Sequence, residues 1–506
     1  MSKARRLLGA AAFLLASIPA SAWSGPKDDT LYVGWSWALP SYDLYFNQSV
    51  AEGSMIGRLL FDTLIDRDLV TREYRPLLAT AWRWIDPLTL EFDLREGVKF
   101  HDGTDMTADD VVFTVNWVVD KENKINIYNM VSWMKEAEKV DDHKVRIHLV
   151  KPFPPALEYV ASTLVIYPQE YYSKVGPKGM SDHPIGTGPY KFVEGAAGQN
   201  ITLVRNEDYF EGGFKGKPAI GRFVQRTIAE TQTLVAELLA GRLDWIWQVP
   251  PDMTEMLEAQ ENVKVVRAES FRFSYVTLDA AGRASKPLAD LKVRQALNHA
   301  INRQAIADHL MPGTRVISQN CIQIQFGCPT EGMVTYDYDP EKAKKLLAEA
   351  GYPNGFDVEF FAYRDRHVTE ALMGDLAAVG VNARLNYLTF PAMYEKKLKW
   401  ETPMVHSTTG SWSIADVGVP LGVTFQGGPP DMANDEELTS WIVEAANMID
   451  QEKRKEIYQR AYRRITEQAY MIPLTTDVVT YAMSKSLDFT PSIDEVGRFD
   501  QAKWID

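Results

Sequence analysis

The chain has 506 residues, 45% of them hydrophobic and 24% charged, with 54 Lys+Arg against 68 Asp+Glu and a formal net charge of −14. Such acidity argues against nucleic acid or anionic lipid as the main partner, and the length suits two or more domains with full cores. Two cysteines are too few thiolates for the four ligands of a structural zinc site.

The N-terminus reads MSKARRLLGAAAFLLASIPASA. Lys3, Arg5 and Arg6 precede an apolar run too short to span a bilayer, and Ala20-Ser21-Ala22 gives a small-x-small cleavage site. This layout predicts a secretory signal peptide over residues 1–22, no lipid anchor, and a soluble periplasmic product. Cleavage would remove three cations and no anions, taking the net charge to −17.

DTLYVGWSW then predicts a strand, and AEGSMIGRLLFDTLI carries helical spacing. ATAWRWIDPLTLEFDLREGVKF and KVDDHKVRIHLVKPF alternate like antiparallel strands. Between them, Thr107 stands three residues before Asp110, a capping-box spacing ahead of an apolar helix face. HPIGTGPYKFVEG is breaker-rich and reads as a crossing between domains. TQTLVAELLAGRLDWIW predicts a helix ended by Gly241, then a strand.

PLADLKVRQALNHAINRQAIADHLM is a long amphipathic helical region. In QNCIQIQFGCPT the oxidising compartment favours one local Cys321–Cys328 disulfide pinning a loop. In DYDPEKAKKLLAEAGYPNGF, Asp339 caps a helix, Pro340 suits its first turn and Gly351 closes it. Asp435 to Gln468 is helical again. Helices and strands alternate throughout, which argues an α/β fold.

Catalytic signatures are scarce. TGSWS lacks the second glycine of a nucleophile elbow. EGGFKGKPA fails as a phosphate loop, since Glu211 and Pro218 occupy required positions. The eight histidines form no H-x-x-x-H pair, and His143 and His148 fall on opposite faces of a strand. No metal or other cofactor is predicted. One carboxylate stands out: Asp416 lies in TGSWSIADVGV with no Lys or Arg nearby in sequence, and an unpaired buried carboxylate costs several kcal/mol.

Four segments together resemble the family 5 extracellular solute-binding proteins of ABC transporters. They are RPLLATAWRWIDPLTLEFDLREGVKFHDGTDMTADDVVFTVNWV, HPIGTGPYKFVEG with RNEDYFEG, PLADLKVRQALNHAINRQAI, and YDYDPEKAKKLLAEAGYPNGF. The resemblance implies a type II periplasmic-binding-protein fold, in which two hinged α/β lobes close around a ligand. It places lobe I on 23–65, 183–272 and 480–506, an inserted domain on 66–182, and lobe II on 273–479.

It also implies a monomeric, non-enzymatic receptor that delivers a small peptide-like solute to membrane permease subunits. An opine, an oligosaccharide or a chelated metal is the alternative cargo, and a secreted hydrolase the alternative class. In relatives an aspartate in a Gly/Trp stretch pairs with the peptide ammonium. GSWSIAD matches that stretch, with Asp416 as the anchor and Gly410, Ser411 and Trp412 beside it. An arginine holds the ligand carboxylate in dipeptide-binding relatives; in AYRDRHVTE both Arg364 and Arg366 are candidates, and Asp365 can pair with either. VGWSWALPSYDLYF stands where the first lobe touches ligand, with Trp35 and Trp37 expected on one face of a strand. Tyr128 is a further candidate, reaching in from the inserted domain.

Overall fold

The computed structural model describes residues 25–47, 50–411 and 413–505. The signal-peptide segment and Trp412 lie outside the described residues. Among those described, no helix is long and apolar enough to cross a membrane.

One ten-stranded sheet runs through the molecule. Its strands are β1 (Thr30–Trp35), β6 (Tyr190–Ala196), β7 (Asn200–Arg205), β8 (Arg222–Thr227), β9 (Trp245–Trp247), β10 (Val263–Leu278), β11 (Phe356–Ala362), β12 (Val381–Tyr387), β13 (Met404–Thr409) and β14 (Met471–Ser484). A separate four-stranded sheet is built from β2 (Ala79–Asp86), β3 (Thr89–Leu94), β4 (Met134–Asp141) and β5 (Lys144–Leu149) in the order β2-β3-β5-β4. The large sheet has the order β12-β11-β13-β10-β14-β9-β1-β8-β7-β6.

That order defines two lobes. β1 and β6–β9 form the first, β11–β13 the second, and the 16- and 14-residue strands β10 and β14 belong to both. β10 pairs with β14 from Val263 to Glu269, breaks register, and resumes at Phe273, where it also begins to pair with β13. Ser270, Phe271 and Arg272 are therefore the crossing point, and Asp477 faces them from β14. Irregular ladder positions bend more readily than paired ones, so the lobes are joined where the backbone is least constrained.

The local predictions have visible causes. In α2 (Ala108–Val119) Thr107 and Asp110 form the capping box, satisfying amides that an isolated helix end leaves orphaned. In α4 (Pro340–Glu349) the Asp339 side chain accepts from the Lys342 amide at 2.9 Å, and Gly351 takes φ +91° after the helix. The segment 287–311 is two helices rather than one, broken at Ile301–Asn302, where Asn302 caps the second. Four further helices are α1 (Val50–Leu60), α3 (Ala156–Thr163), α5 (Arg366–Ala378) and α6 (Gln451–Glu467), with Glu158 on α3, Arg366 on α5 and Arg454 on α6.

Cys321 and Cys328 form a disulfide. The loop it closes lies against the Asp416 segment: the Phe326 amide donates to the Ala415 carbonyl at 2.8 Å and the Val417 amide to the Phe326 carbonyl at 3.1 Å.

Candidate ligand-binding cleft

A cavity of about 390 Å³ opens at the crossing point. The first lobe supplies Gln248 and Thr254, the crossing strands supply Arg272 and Asp477, and the second lobe supplies Arg364 and Asp365. Its size falls within the range of small-molecule sites. Three of these arrive from the ends of ordered elements: Gln248 follows β9, Arg364 and Asp365 follow β11, and Asp365 sits at the start of α5. Gln248 (φ +56°) and Asp365 (φ +49°) both hold left-handed backbone, a strain non-glycine residues accept where tertiary structure over-determines it.

The charges alternate across the crossing. Arg364 Nε donates to Asp365 at 2.9 Å and its Nη2 lies 3.7 Å from Asp477. Arg272 Nη2 donates to Glu495 at 2.7 Å. Burial works against the Arg364 charge, but Asp365 and Asp477 outweigh it and raise its pKa. Burial pushes Asp477 up despite the two arginines. It pushes Glu495 up to about 7, with Arg272 pulling the other way. A Cβ on Gly410 would stand 3.1 Å from Arg272 Cγ, so the glycine leaves room for that side chain.

Asp416 requires a correction. It is not without a partner in the chain: Arg454 of α6 grips it with two bonds, Nη1 to Oδ2 at 2.6 Å and Nη2 to Oδ1 at 2.9 Å. The Gly418 amide adds a third at 2.8 Å. Burial opposes the Arg454 charge, yet Asp416 and Tyr458 hold its pKa above the usual value. Asp416 is 3% exposed and lies outside the cavity wall.

Other expected positions also fall elsewhere. Arg366 points outward, paired with Glu370 at 2.8 Å and set over Tyr387. The strand ends at Trp35, so Trp37 leaves the strand face and stacks on Trp35 with ring centroids 5.0 Å apart. Trp35 is fully buried in the core; only Trp37 keeps partial exposure, meeting Trp247 edge-on at 5.5 Å. Tyr128 starts a short helix under Lys121, packed against the core. Ser411 is buried at the loop start, with no hydrogen-bond partner for its Oγ among the described residues.

Arg272 and Asp477 escaped sequence reading. Asp477 had one signal, as the single charge of β14, MIPLTTDVVTYAMS, whereas Arg272 shares β10 with Lys264, Arg267 and Glu269 and carried none. Among the described residues there is no cluster of three or more His, Cys, Asp or Glu able to hold a metal ion.

Two lobes sharing crossing strands, with a polar cavity where they meet, define a hinged solute-binding protein. The comparisons agree. The model of the bacterial extracellular solute-binding proteins, family 5, matches residues 73–427, and the chain belongs to that family. Heme-binding protein A of Haemophilus influenzae is 30% identical over 461 residues, 83% of this chain and 82% of the relative. Glutathione-binding protein GsiB of Escherichia coli O157:H7 is 27% identical over 508 residues, covering 95% and 94%. Among solved structures, HbpA2 of Haemophilus parasuis superposes with a TM-score of 0.81 at 26% identity, covering 94% of this chain and all of that one. The protein is thus similar to solute-binding components of ABC importers, and it shares their role of capturing a solute.

Proposed function

We propose that the solute is a small peptide-like molecule carrying at least one free carboxylate, bound in the cleft at the crossing point. The observation that supports this most is the pair Arg272 and Arg364, one from the crossing strand and one from the second lobe, lining a single cavity. Each guanidinium has five N–H donors in a planar fork suited to carboxylate, more than the hydrogen bonds from Arg272 to Glu495 and from Arg364 to Asp365 take up. Asp477 and Asp365 share the wall and suit the ligand's ammonium, a role that Asp416, held by Arg454, does not serve. A ligand touching both lobes favours the closed form by its differential affinity.

The names of two relatives, a glutathione-binding protein and a heme-binding protein, fit a ligand with carboxylates. In this reading the protein is exported through its N-terminal signal, works in the periplasm as a monomer, performs no chemistry and hands its cargo to an ABC permease.

The test is thermal unfolding of the mature protein with matched pools of short peptides, either free acids or C-terminal amides. Ligand at a hundred times its dissociation constant adds about 2.7 kcal/mol, a readable shift. We expect the shift with the acids, and its loss in Arg364→Ala. An equal shift with amides, or one produced only by sugars, overturns the carboxylate reading.

A further inference from the structure

The segment Ser413–Asp416 belongs to the second lobe, yet it is tied to the rest of the molecule on both sides. Asp416 is held by Arg454, and the flanking backbone by Phe326 of the disulfide loop. On the opposite side the Ala415 amide donates to Glu158 Oε2 at 3.2 Å, and Ser413 Oγ donates to the Asp494 carbonyl at 2.9 Å. Ile414, fully buried, packs into the core shared by the first lobe and the four-stranded domain.

Glu158 lies on α3, which packs against the short strand Ile65–Arg67, and it is built to receive this contact. Arg67 forms an ion pair with it, and Tyr74 donates its hydroxyl to Oε1 at 2.9 Å. Arg67 in turn sits over the Phe271 ring, at the crossing point of the two long strands, 5.9 Å from its centroid. One carboxylate thereby links a helix of the inserted domain, the closing loop of the second lobe and, through Arg67, the hinge.

We infer that Glu158 is a positioning residue for closure: the inserted domain supplies a clasp that holds the 413–416 segment of the second lobe against it. The bond from Ala415 is charge-assisted and shielded from water, so it is stronger than a surface contact. It exists only when the second lobe's loop lies against the inserted domain, so it weights the closed arrangement before any ligand arrives. This gives the inserted domain a part in binding without touching the solute. The inference rests on the proposed reading only in taking closure to be what captures the ligand.

Hydrogen exchange on the ligand-free mature protein tests it. We expect amides of 413–418 to be protected in the wild-type chain. Glu158→Gln, which leaves a weaker neutral acceptor, should speed their exchange at least fivefold, and Ser413→Ala should speed it by a smaller factor. Exchange in the four-stranded sheet should stay within twofold of wild type. If Glu158→Gln fails to fold, the paired change R67M/E158L removes the buried ion pair as a unit and takes its place.

Unchanged exchange at 413–418 in these variants overturns the clasp. So does an acceleration spread equally over the four-stranded sheet, which marks Glu158 as merely structural. Because no ligand is present, either result leaves the carboxylate reading standing, and failure of the thermal-shift test leaves the clasp standing.

Discussion

Asp416 shows how a single residue changes meaning when its surroundings are known. Its side chain is 4% exposed and that of Arg454 2%, so neither charge has water to fall back on. Breaking such a pair by removing one partner costs about 3–5 kcal/mol, because the other stays buried and uncompensated. Arg454→Met should therefore lower the urea-unfolding free energy by about that amount, whereas Arg366→Met, at an exposed pair, should change it by less than about 1 kcal/mol. Similar costs for the two would show that the Asp416 pair is not a buried support. Asp416 fixes the loop; the cavity wall is left to Arg272, Arg364, Asp365 and Asp477.

Among the elements, the crossing strands decide where the cleft stands, and the disulfide loop decides where the Asp416 segment stands. Cys321 and Cys328 are seven residues apart, and closing a loop of this size stabilises by about 2.5 kcal/mol on chain-entropy grounds. Reduction should cost about that much in urea unfolding, and it should also speed amide exchange at Phe326 and Val417, which the loop holds in register. A loss of stability with unchanged exchange there would separate the disulfide from the Asp416 segment. The helices were legible because their signals are local: Thr107 with Asp110, Asp339 with Pro340, and Gly351 each act within about one turn of a helix end. The length of β10 and β14 was not, since each alternates and breaks according to partners on different lobes.

At the scale of the whole molecule, buried titratable groups pull in opposite directions with pH. Burial raises Asp43 to about 6 and Asp244 and Glu495 to about 7, and it lowers His101 and His406 to about 4. Carboxylates raised in the native state contribute stability that is present below their unfolded values, near 4, and is lost as pH rises through 6 to 7. Histidines lowered in the native state cost stability only once pH falls below their unfolded value, near 6.5. Between pH 8 and 6.5 the carboxylates dominate, so the unfolding free energy should rise by about 1 kcal/mol on that descent. In Glu495→Gln the rise should be smaller. A fall in stability over the same interval would contradict the burial assigned to these groups.

The sequence by itself determined the class of fold, the local elements and the family, because capping, alternation and segment order are properties of neighbouring residues. It also determined that Cys321 and Cys328 can pair, being close along the chain. Tertiary structure alone decided the polar contacts of the cleft and of the segments around it. Arg454 reaches Asp416 across 38 residues, Arg272 reaches Glu495 across 223, and Glu158 meets Ala415 across 257. Charges separated so far in sequence become partners only when packing removes the water between them, and that depends on the arrangement of the lobes rather than on any local pattern.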